Sequence, residues 1–316
     1  MSHDAEHLEL VELVGAGGHG EVWVVRDRRD ARLWAGKLLR RDAEATGHLR
    51  LLREARARIA HPHVAAPVGS AVLGGRTLVL LPLVRGGSVA DLVGDFAPLP
   101  ASWVGWIVAQ AADGLAAVHE AGWVHRDVTP ANILLAPTGT GRPHAYLADL
   151  GLALRAEDTR FTRASAVVGT PGYVAPEVRA GADADARSDV WALAATGLEM
   201  LTGVPPPAAF AEARDLPHRS PEAALAAVLL AAADPDPARR TADAAELAAR
   251  VRAIGLAAPG GAEEGPEVFE HVALPEPEPV PGPRPARPPG AATGPLLVLF
   301  GVALIVVATA LLAVAL

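Results

Sequence analysis

The sequence has no cysteine and almost no lysine. The absence of Cys from its 316 residues excludes disulfides, thiolate zinc sites and cysteine nucleophiles. Lys37 is the single lysine among 28 basic residues, and the others are arginines. An arginine fork cannot replace lysine where a compact ammonium on a slim stem is needed, so Lys37 is a candidate for a chemical role. The open alternative is a chance survivor of an Arg- and Ala-rich composition.

Positive charge and aromatic side chains are also scarce. The formal net charge is -8 and aromatics make up 4% of the chain. A surplus of acidic residues disfavours broad binding to nucleic-acid phosphates, so we expect no nucleic-acid partner. The N-terminus lacks a charged region followed by an apolar stretch, which predicts no signal peptide. The length suffices for one large domain or two medium ones with a sizeable core.

The C-terminal part differs sharply from the rest in composition. Proline clusters between Pro275 and Pro289 predict an extended, disordered linker over residues 255–294. Residues 295–316 are uncharged and predict a transmembrane helix, because about 20 apolar residues span a bilayer core. Arg284 and Arg287 precede this run, so the positive-inside bias predicts a single-pass cell-membrane protein with its N-terminal domain in the cytoplasm. The alternative is a buried core helix.

The N-terminal part changes from strand-like to helical patterns. Short apolar runs and turns over residues 8–40 and 64–84 predict β-hairpins, with a helix between them. From Trp103 onward helical segments dominate, roughly over residues 103–122, 187–202, 221–233 and 241–254. Strands followed by helices predict a two-lobed α+β domain over residues 8–254.

A glycine-rich turn and Lys37 predict a phosphate site. Residues Gly15–Gly20 follow the G-x-G-x-x-G pattern, and a strand rather than a helix follows them, which argues against a dinucleotide fold. Such a turn can offer backbone N–H groups to phosphate oxygens, although a plain glycine hairpin stays open. Lys37 on the next strand could reach the phosphates. Glu54, on the predicted helix, could hold its ammonium or be a solvated glutamate.

The segment His125–Asn132 carries the strongest cluster of polar residues. Asp127 can accept the proton of an attacking hydroxyl, and Asn132, five residues later, can hold a magnesium ion. Asp149 follows an apolar strand and can bridge magnesium to phosphates. These elements in this order predict phosphoryl transfer.

Over residues 8–254 these motifs resemble the eukaryotic-type (Hanks-type) Ser/Thr protein kinase family, in its bacterial membrane-anchored form. The segment Gly169–Glu177 resembles the substrate-positioning segment that ends in the A-P-E motif. Asp189 resembles the aspartate that braces the catalytic loop, and Arg239 resembles the arginine that pairs with Glu177. The resemblance implies a bilobal fold with a β-rich N-lobe and a helical C-lobe.

The resemblance also implies ATP and Mg²⁺, with Mn²⁺ as an alternative, as cofactors. Asp127 would be the catalytic base, and Asn132 and Asp149 the metal ligands. Lys37, held by Glu54, would contact the α- and β-phosphates. The remaining implied ATP contacts come from the glycine-rich turn, the adenine pocket and the hinge after it, and they are Val14, Gly15, Gly17, Gly20, Val22, Ala35, Leu81, Pro82, Val84 and Leu134.

Arg126, beside the catalytic aspartate, implies activation by a phosphate in the loop 152–169. Thr162 is the first candidate acceptor, followed by Thr159 and Ser165. An Arg–phosphate bond would order that loop, whereas ordinary solvated hydroxyls are the alternative. The implied partners are protein substrates with Ser or Thr acceptors. Dimerisation stays open as a route to autophosphorylation.

One active-site position departs from the family pattern. Ser/Thr kinases usually carry a lysine two residues after the catalytic aspartate, and here that residue is Thr129. A hydroxyl can donate a hydrogen bond but supplies no charge to the transferred phosphate. Residues 128–131 contain no arginine, so the tyrosine-kinase pattern is absent too. Two alternatives stay open: a pseudokinase, acting as an ATP-binding scaffold at the membrane, and a small-molecule phosphotransferase.

Overall fold

The computed structural model of the chain describes residues 5–17, 20–39, 59–150, 154–155, 170–260 and 265–272. A strand-rich N-lobe precedes a helical C-lobe, which confirms the predicted bilobal α+β architecture. The predicted helix that contains Glu54 lies outside the described residues.

The N-lobe is a five-stranded antiparallel sheet. Its strands are β1 (Leu8–Gly17), β2 (Gly20–Asp27), β3 (Leu33–Leu39), β4 (Gly69–Leu73) and β5 (Arg76–Leu81). They lie in the order β1-β2-β3-β5-β4, so β3 is central and carries Lys37 between Val22 of β2 and Val79 of β5. Among the described residues, the apolar core beneath the sheet includes Ala5, Leu8, Val25, Leu38, Ala71 and Leu78.

The C-lobe is built around two long helices. Its helices are α1 (Val89–Phe96), α2 (Ala101–Glu120), α3 (Pro176–Arg179), α4 (Ala186–Thr202), α5 (Ala208–Glu212), α6 (Pro221–Ala232) and α7 (Ala244–Ala253). Helix α4 is buried along nearly its whole length, because apolar residues occur on all of its faces. Asp185 caps its first turn in a reciprocal pair with Ser188, and Gly203 ends it in the left-handed region at φ 77°.

Short strands place the polar cluster at the edge of the C-lobe. Strand β6 (Trp123–Val124) pairs with β9 (Leu154–Arg155), and β7 (Ile133–Leu135) pairs with β8 (Ala145–Leu147). Because Ile133 lies opposite Leu147, the residues before β7 and after β8 emerge at the same end of this hairpin. Asn132 and Asp149 are therefore brought to one place by strand register.

The compact unit runs to Ala273, beyond the predicted domain boundary at residue 254. Residues 265–272, which the sequence assigned to the linker, pack on the C-lobe with Val268 buried. The prediction that residues 255–294 are all linker is therefore wrong for residues 265–272, because Val268 packs in the apolar core of the C-lobe. Among the described residues no helix is long and apolar enough to cross a membrane. The predicted transmembrane segment 295–316 lies outside them.

Candidate active site

The loop between β6 and β7 is braced from below by one buried carboxylate. Asp189, at the start of α4, is 1% exposed. Its two oxygens accept hydrogen bonds from the backbone N–H groups of His125 (2.7 Å) and Arg126 (2.8 Å). His119 of α2 lies 2.9 Å from the same carboxylate. A buried carboxylate that accepts several bonds fixes the backbone of the loop and so positions Asp127.

Asp127 is held on both of its oxygens. The Asn132 side-chain amide donates to Asp127 Oδ2 at 2.8 Å and to the Asp127 backbone carbonyl at 2.7 Å. Thr170 donates to Oδ1 from its backbone N–H (3.1 Å) and from its hydroxyl (3.0 Å). The carboxylate is therefore oriented by hydrogen bonds, and no cationic side chain in the described part of the chain pairs with it, which suits a group that must accept a proton from a hydroxyl. The sequence reasoning missed Thr170, although its place in Gly169-Thr170-Pro171 lies inside the predicted substrate-positioning segment.

Lys37 meets Asp149 across the cleft between the two lobes. Its Nζ lies 2.6 Å from Oδ1 and 2.7 Å from Oδ2 of Asp149, and the lysine side chain is 12% exposed. Asp149 adopts φ 60°, a left-handed conformation that Asp tolerates better than most residues. The predicted Lys37–Glu54 pair lies outside the described residues. The contact with Asp149 joins the sheet to the catalytic end of the C-lobe.

Asn132 and Asp149 form a donor set that fits magnesium. The backbone N–H of Ala148 donates to the Asn132 carbonyl at 2.8 Å, which ties the two residues together. Because the Asn132 amide nitrogen faces Asp127, its side-chain oxygen is left for a cation. Mg²⁺ favours such hard oxygen donors and is commonly held by one or two side chains plus phosphate and water. The described residues contain no cluster of three or more His, Asp or Glu side chains that could hold a metal alone.

The glycine-rich turn joins β1 to β2 beside β3. Gly17 lies opposite Gly20 in the ladder, while Gly18 and His19 lie outside the described residues. A Cβ atom on Gly20 would come within 2.4 Å of the Leu38 carbonyl oxygen, so only glycine fits there. Val14, near the end of β1, is exposed, as an apolar residue over a ligand cleft would be.

The residues expected around adenine lie on neighbouring strands. Ala35 of β3 lies opposite Leu81, the last residue of β5, and Val22 lies opposite Lys37. The predicted hinge Pro82–Val84 follows β5 directly. Leu134 of β7 bridges to Ser88, just beyond that hinge, so both walls of the expected adenine pocket belong to one connected backbone network.

Glu177 pairs with Arg240, which corrects the predicted partner Arg239. Arg240 donates to the two Glu177 oxygens at 2.8 and 3.0 Å, and its side chain is fully buried. Arg239 is exposed and lies 3.7 Å from Asp234. Two adjacent arginines are equivalent in a sequence motif, and only the packing of the chain turns one of them inward. Burial alone would raise the pKa of Glu177, but the hydrogen bonds from Arg240, a backbone hydrogen bond and the charge of Arg240 together outweigh it and lower that pKa.

Arg126 and Thr129 lie on either side of Asp127 in the loop. Arg126 adopts φ 73°, its Nε is buried, and that atom has no hydrogen-bond partner in the described part of the chain. Burial also lowers the pKa of its guanidinium. Thr129 is buried and starts the one-turn helix Pro130–Asn132 without a capping bond from its hydroxyl. The candidate phosphosites Thr159, Thr162 and Ser165 lie outside the described residues.

Comparison with known families decides the identity of this fold. The protein kinase domain family matches residues 8–248, which is most of the chain. The chain belongs to the protein kinase family. The match spans both lobes of the kinase domain and ends within α7.

Bacterial Ser/Thr kinases are among the similar curated proteins. Serine/threonine-protein kinase PknB of Mycobacterium leprae is 35% identical over 269 residues, which cover 78% of this chain and 43% of that protein. PknF of Mycobacterium tuberculosis is 37% identical over 204 residues, or 62% of this chain and 43% of that protein. PknD of the same species is 37% identical over 202 residues, or 63% and 30%. These relatives confirm the resemblance inferred from the motifs, and the chain spans less than half of their length.

Proposed function

We propose that this chain is a Ser/Thr protein kinase that transfers the γ-phosphoryl group of ATP to protein hydroxyls. The observation that carries the proposal is the Asp127 carboxylate, oriented by Asn132 on one oxygen and by Thr170 on the other. A positioned carboxylate with no cation paired to it can take the proton of an approaching serine or threonine hydroxyl.

The other residues of the cleft bind and position ATP in this proposal. Lys37 would contact the α- and β-phosphates, while the turn around Gly20 would offer backbone N–H groups to them. Asn132 and Asp149 would hold Mg²⁺, which when bound neutralises charge on the phosphates. The Lys37–Asp149 contact keeps the lysine and the metal-binding carboxylate together until a nucleotide enters.

The experiment measures phosphate transfer from labelled ATP, in the presence of magnesium, to a generic protein substrate and to the chain itself. The wild type should label, and Asp127→Asn should lose at least about 100-fold of that activity, because a general base contributes about 10²–10⁴-fold. Asp215→Asn is the matched control, since Asp215 is exposed and far from the loop in sequence. Equal labelling by wild type and Asp127→Asn would falsify the kinase assignment.

A pseudokinase that binds ATP as a membrane scaffold is the second candidate. Thr129 favours it, because this buried residue brings no positive charge to the transferred phosphate. The two candidates predict different results in a binding titration and a turnover assay on the same preparation. A scaffold binds ATP and shows no labelling above that of Asp127→Asn, whereas a kinase shows both.

Activation-loop autophosphorylation completes the proposal for the kinase domain. The half-buried Arg126 supports it, because its Nε has no hydrogen-bond partner among the described residues and a phosphate would satisfy that donor. Mass spectrometry after incubation with ATP should find phosphate at Thr162 first, then at Thr159 or Ser165. Absence of phosphate from all three, in a preparation that labels other proteins, would contradict this part.

Membrane anchoring rests on the uncharged run 295–316 in the sequence. Cell fractionation should place the full chain in the membrane pellet and a variant lacking 295–316 in the supernatant. A full chain found in the supernatant would refute the anchor while leaving the kinase proposal intact. Protein substrates and dimerisation for autophosphorylation are likewise proposals of this function.

A further inference from the structure

A segment that follows the residues matched by the kinase family packs beside the predicted hinge Pro82–Val84. Residues 265–272, here called the C-terminal strap, come after α7 and after the last matched residue, 248. Val268 is 2% exposed and Val272 is also buried. Val268 belongs to the main apolar core of the C-lobe. The strap is therefore packed into the domain and is not a passing tail.

Backbone hydrogen bonds fix the strap at two places. Val268 exchanges both of its backbone bonds with Gly139, in the turn between β7 and β8, at 3.0 and 3.1 Å. At the other end, the N–H groups of His271 (2.7 Å) and Val272 (3.3 Å) donate to the carbonyl of Arg85. An ion pair between Arg85 and Glu270 adds to this end. Arg85 is the first residue after the predicted hinge Pro82–Val84.

The glycines that follow Arg85 admit the strap. A Cβ on Gly86 would come within 2.5 Å of the Leu135 carbonyl oxygen and 2.7 Å of Val268 Cγ1. A Cβ on Gly87, which has φ 75°, would come within 3.0 Å of the His271 ring. The chain after the hinge thus lies between the backbone of β7 and the side chains of the strap, and no side chain on Gly86 would fit there.

Strand β7 completes the connection to the nucleotide cleft. Gly86 donates to the Leu135 carbonyl and Leu135 donates to the Gly87 carbonyl, each at 2.9 Å. The same strand carries Leu134 and follows Asn132. The strap, the residues after the hinge and β7 therefore form one hydrogen-bonded unit that includes Leu134, which is expected to contact adenine.

We propose that the C-terminal strap is a hinge clamp, in which Val268 and His271 act as positioning residues for adenine binding. The inference rests on the proposed nucleotide-binding function. The strap holds the Arg85 carbonyl and packs on Gly86, and so restricts the backbone at Val84, whose N–H would bind adenine. A hydrogen bond weakens steeply when its donor turns away from the acceptor, so loosening this backbone lowers nucleotide affinity. The clamp acts on ATP binding and leaves the Asp127 end of the cleft in place.

The test compares two valine-to-alanine variants of the full chain. Val268→Ala removes the strap contact with Gly86, and Val251→Ala removes an equally buried valine from α7, away from the hinge in sequence. Equilibrium titration with a fluorescent ATP analogue should show about fivefold weaker binding for Val268→Ala. A small loss of binding free energy is enough to produce a change of this size. Val251→Ala should bind like the wild type. Hydrogen exchange at residues 85–87 should be faster in Val268→Ala alone.

Kinetics separate positioning from general destabilisation. With Val268→Ala the KM for ATP should rise and kcat should change little, because a loss of uniform substrate binding raises KM alone. Phe269→Ala is the milder second variant, since Phe269 is 47% exposed and stacks on Phe96 at 6.2 Å between ring centroids. It should weaken analogue binding about twofold and serves if Val268→Ala does not fold.

The failures of the two proposals can be told apart. If the wild type binds the analogue without transferring phosphate, the kinase proposal fails while the clamp is still tested by affinity and exchange. The clamp is overturned if Val268→Ala, or Phe269→Ala in its place, binds the analogue as the wild type does. It is equally overturned if Val251→Ala weakens binding as much as Val268→Ala.

Discussion

The two sides of the cleft are held in different ways. The loop that carries Asp127 rests on the helical C-lobe, where the buried Asp189 accepts hydrogen bonds from the loop's backbone N–H groups and a large apolar core lies beneath. Lys37 lies on the central strand of the N-lobe sheet and reaches the C-lobe through an ion pair with Asp149. The Asp127 side of the cleft is therefore held in place by packing and buried hydrogen bonds. The Lys37 side depends on polar contacts across the cleft, which a bound ligand can replace.

The largest effect should come from breaking the rigid side at Asp189. Asp189→Asn replaces a carboxylate oxygen by an NH₂ group that faces backbone donors, which leaves buried N–H groups without an acceptor. We expect a loss of about 4 kcal/mol of unfolding free energy and loss of activity, as for a disrupted buried charge site. Urea unfolding followed by circular dichroism measures it. Asp215→Asn, an exposed matched change, should differ little from wild type, and an Asp189→Asn variant of equal stability would contradict the bracing role.

Replacing Lys37, on the N-lobe side of the cleft, should reduce activity and leave stability nearly unchanged. Lys37→Met should lower kcat/KM by about 100-fold or more, the cost of removing one preorganised charge. The melting temperature should change little because the pair lies in a cleft and not in a core. Lys37→Arg should be nearly as inactive, since a guanidinium fork does not fit the place of an ammonium. An active Lys37→Arg variant would show that Lys37 is a chance survivor of the composition.

Replacing Thr129, on the Asp127 side of the cleft, should change activity by a smaller factor. Thr129→Lys restores the charge that Ser/Thr kinases usually carry there, and we expect about a tenfold rise in kcat, which corresponds to about 1.4 kcal/mol. Thr129→Met, which fills similar space without charge, is the control and should not gain activity. The measurement is turnover with labelled ATP. A parent without activity and a strongly active Thr129→Lys variant would support the scaffold candidate.

The smallest effect concerns the acid dependence of the Glu177–Arg240 pair. The pKa of Glu177 is lowered from its ordinary 4.5 in the folded chain, so its contribution to stability is present above that value. The contribution is lost as pH falls through the lowered pKa. Urea unfolding between about pH 3 and 7 should therefore show the advantage of wild type over Glu177→Gln shrinking in acid.

Glu199 provides an internal control of opposite sign. Burial raises the pKa of Glu199, whose carboxylate accepts a hydrogen bond from Tyr173. Its contribution is present at low pH and is lost as pH rises through the raised pKa. The difference between wild type and Glu199→Gln should therefore change in the other direction. Parallel pH trends for both variants would contradict these assignments.

Several helices were predictable because they depend on the pattern of neighbouring residues in the sequence. Helices α2, α4, α6 and α7 lie close to the predicted segments, since each has a continuous helical pattern of apolar residues. The short helix α1 was missed because Gly86 and Gly87 before it are typical of a turn. The sequence assigned the strap to the linker because its few apolar residues lie among prolines and glycines and form no regular pattern. Its burial depends on contacts with segments that are distant in sequence.

A lone lysine, a D-x-x-x-x-N loop and a following aspartate occur in the order of a protein kinase, and this order is visible in the amino-acid sequence alone. Such motifs depend on spacing within a few residues and on side-chain chemistry. The pairing of Lys37 with Asp149, of Thr170 with Asp127 and of Arg240 with Glu177 is visible only in the folded chain. These contacts join residues between 43 and 112 positions apart, and packing of the whole domain selects them.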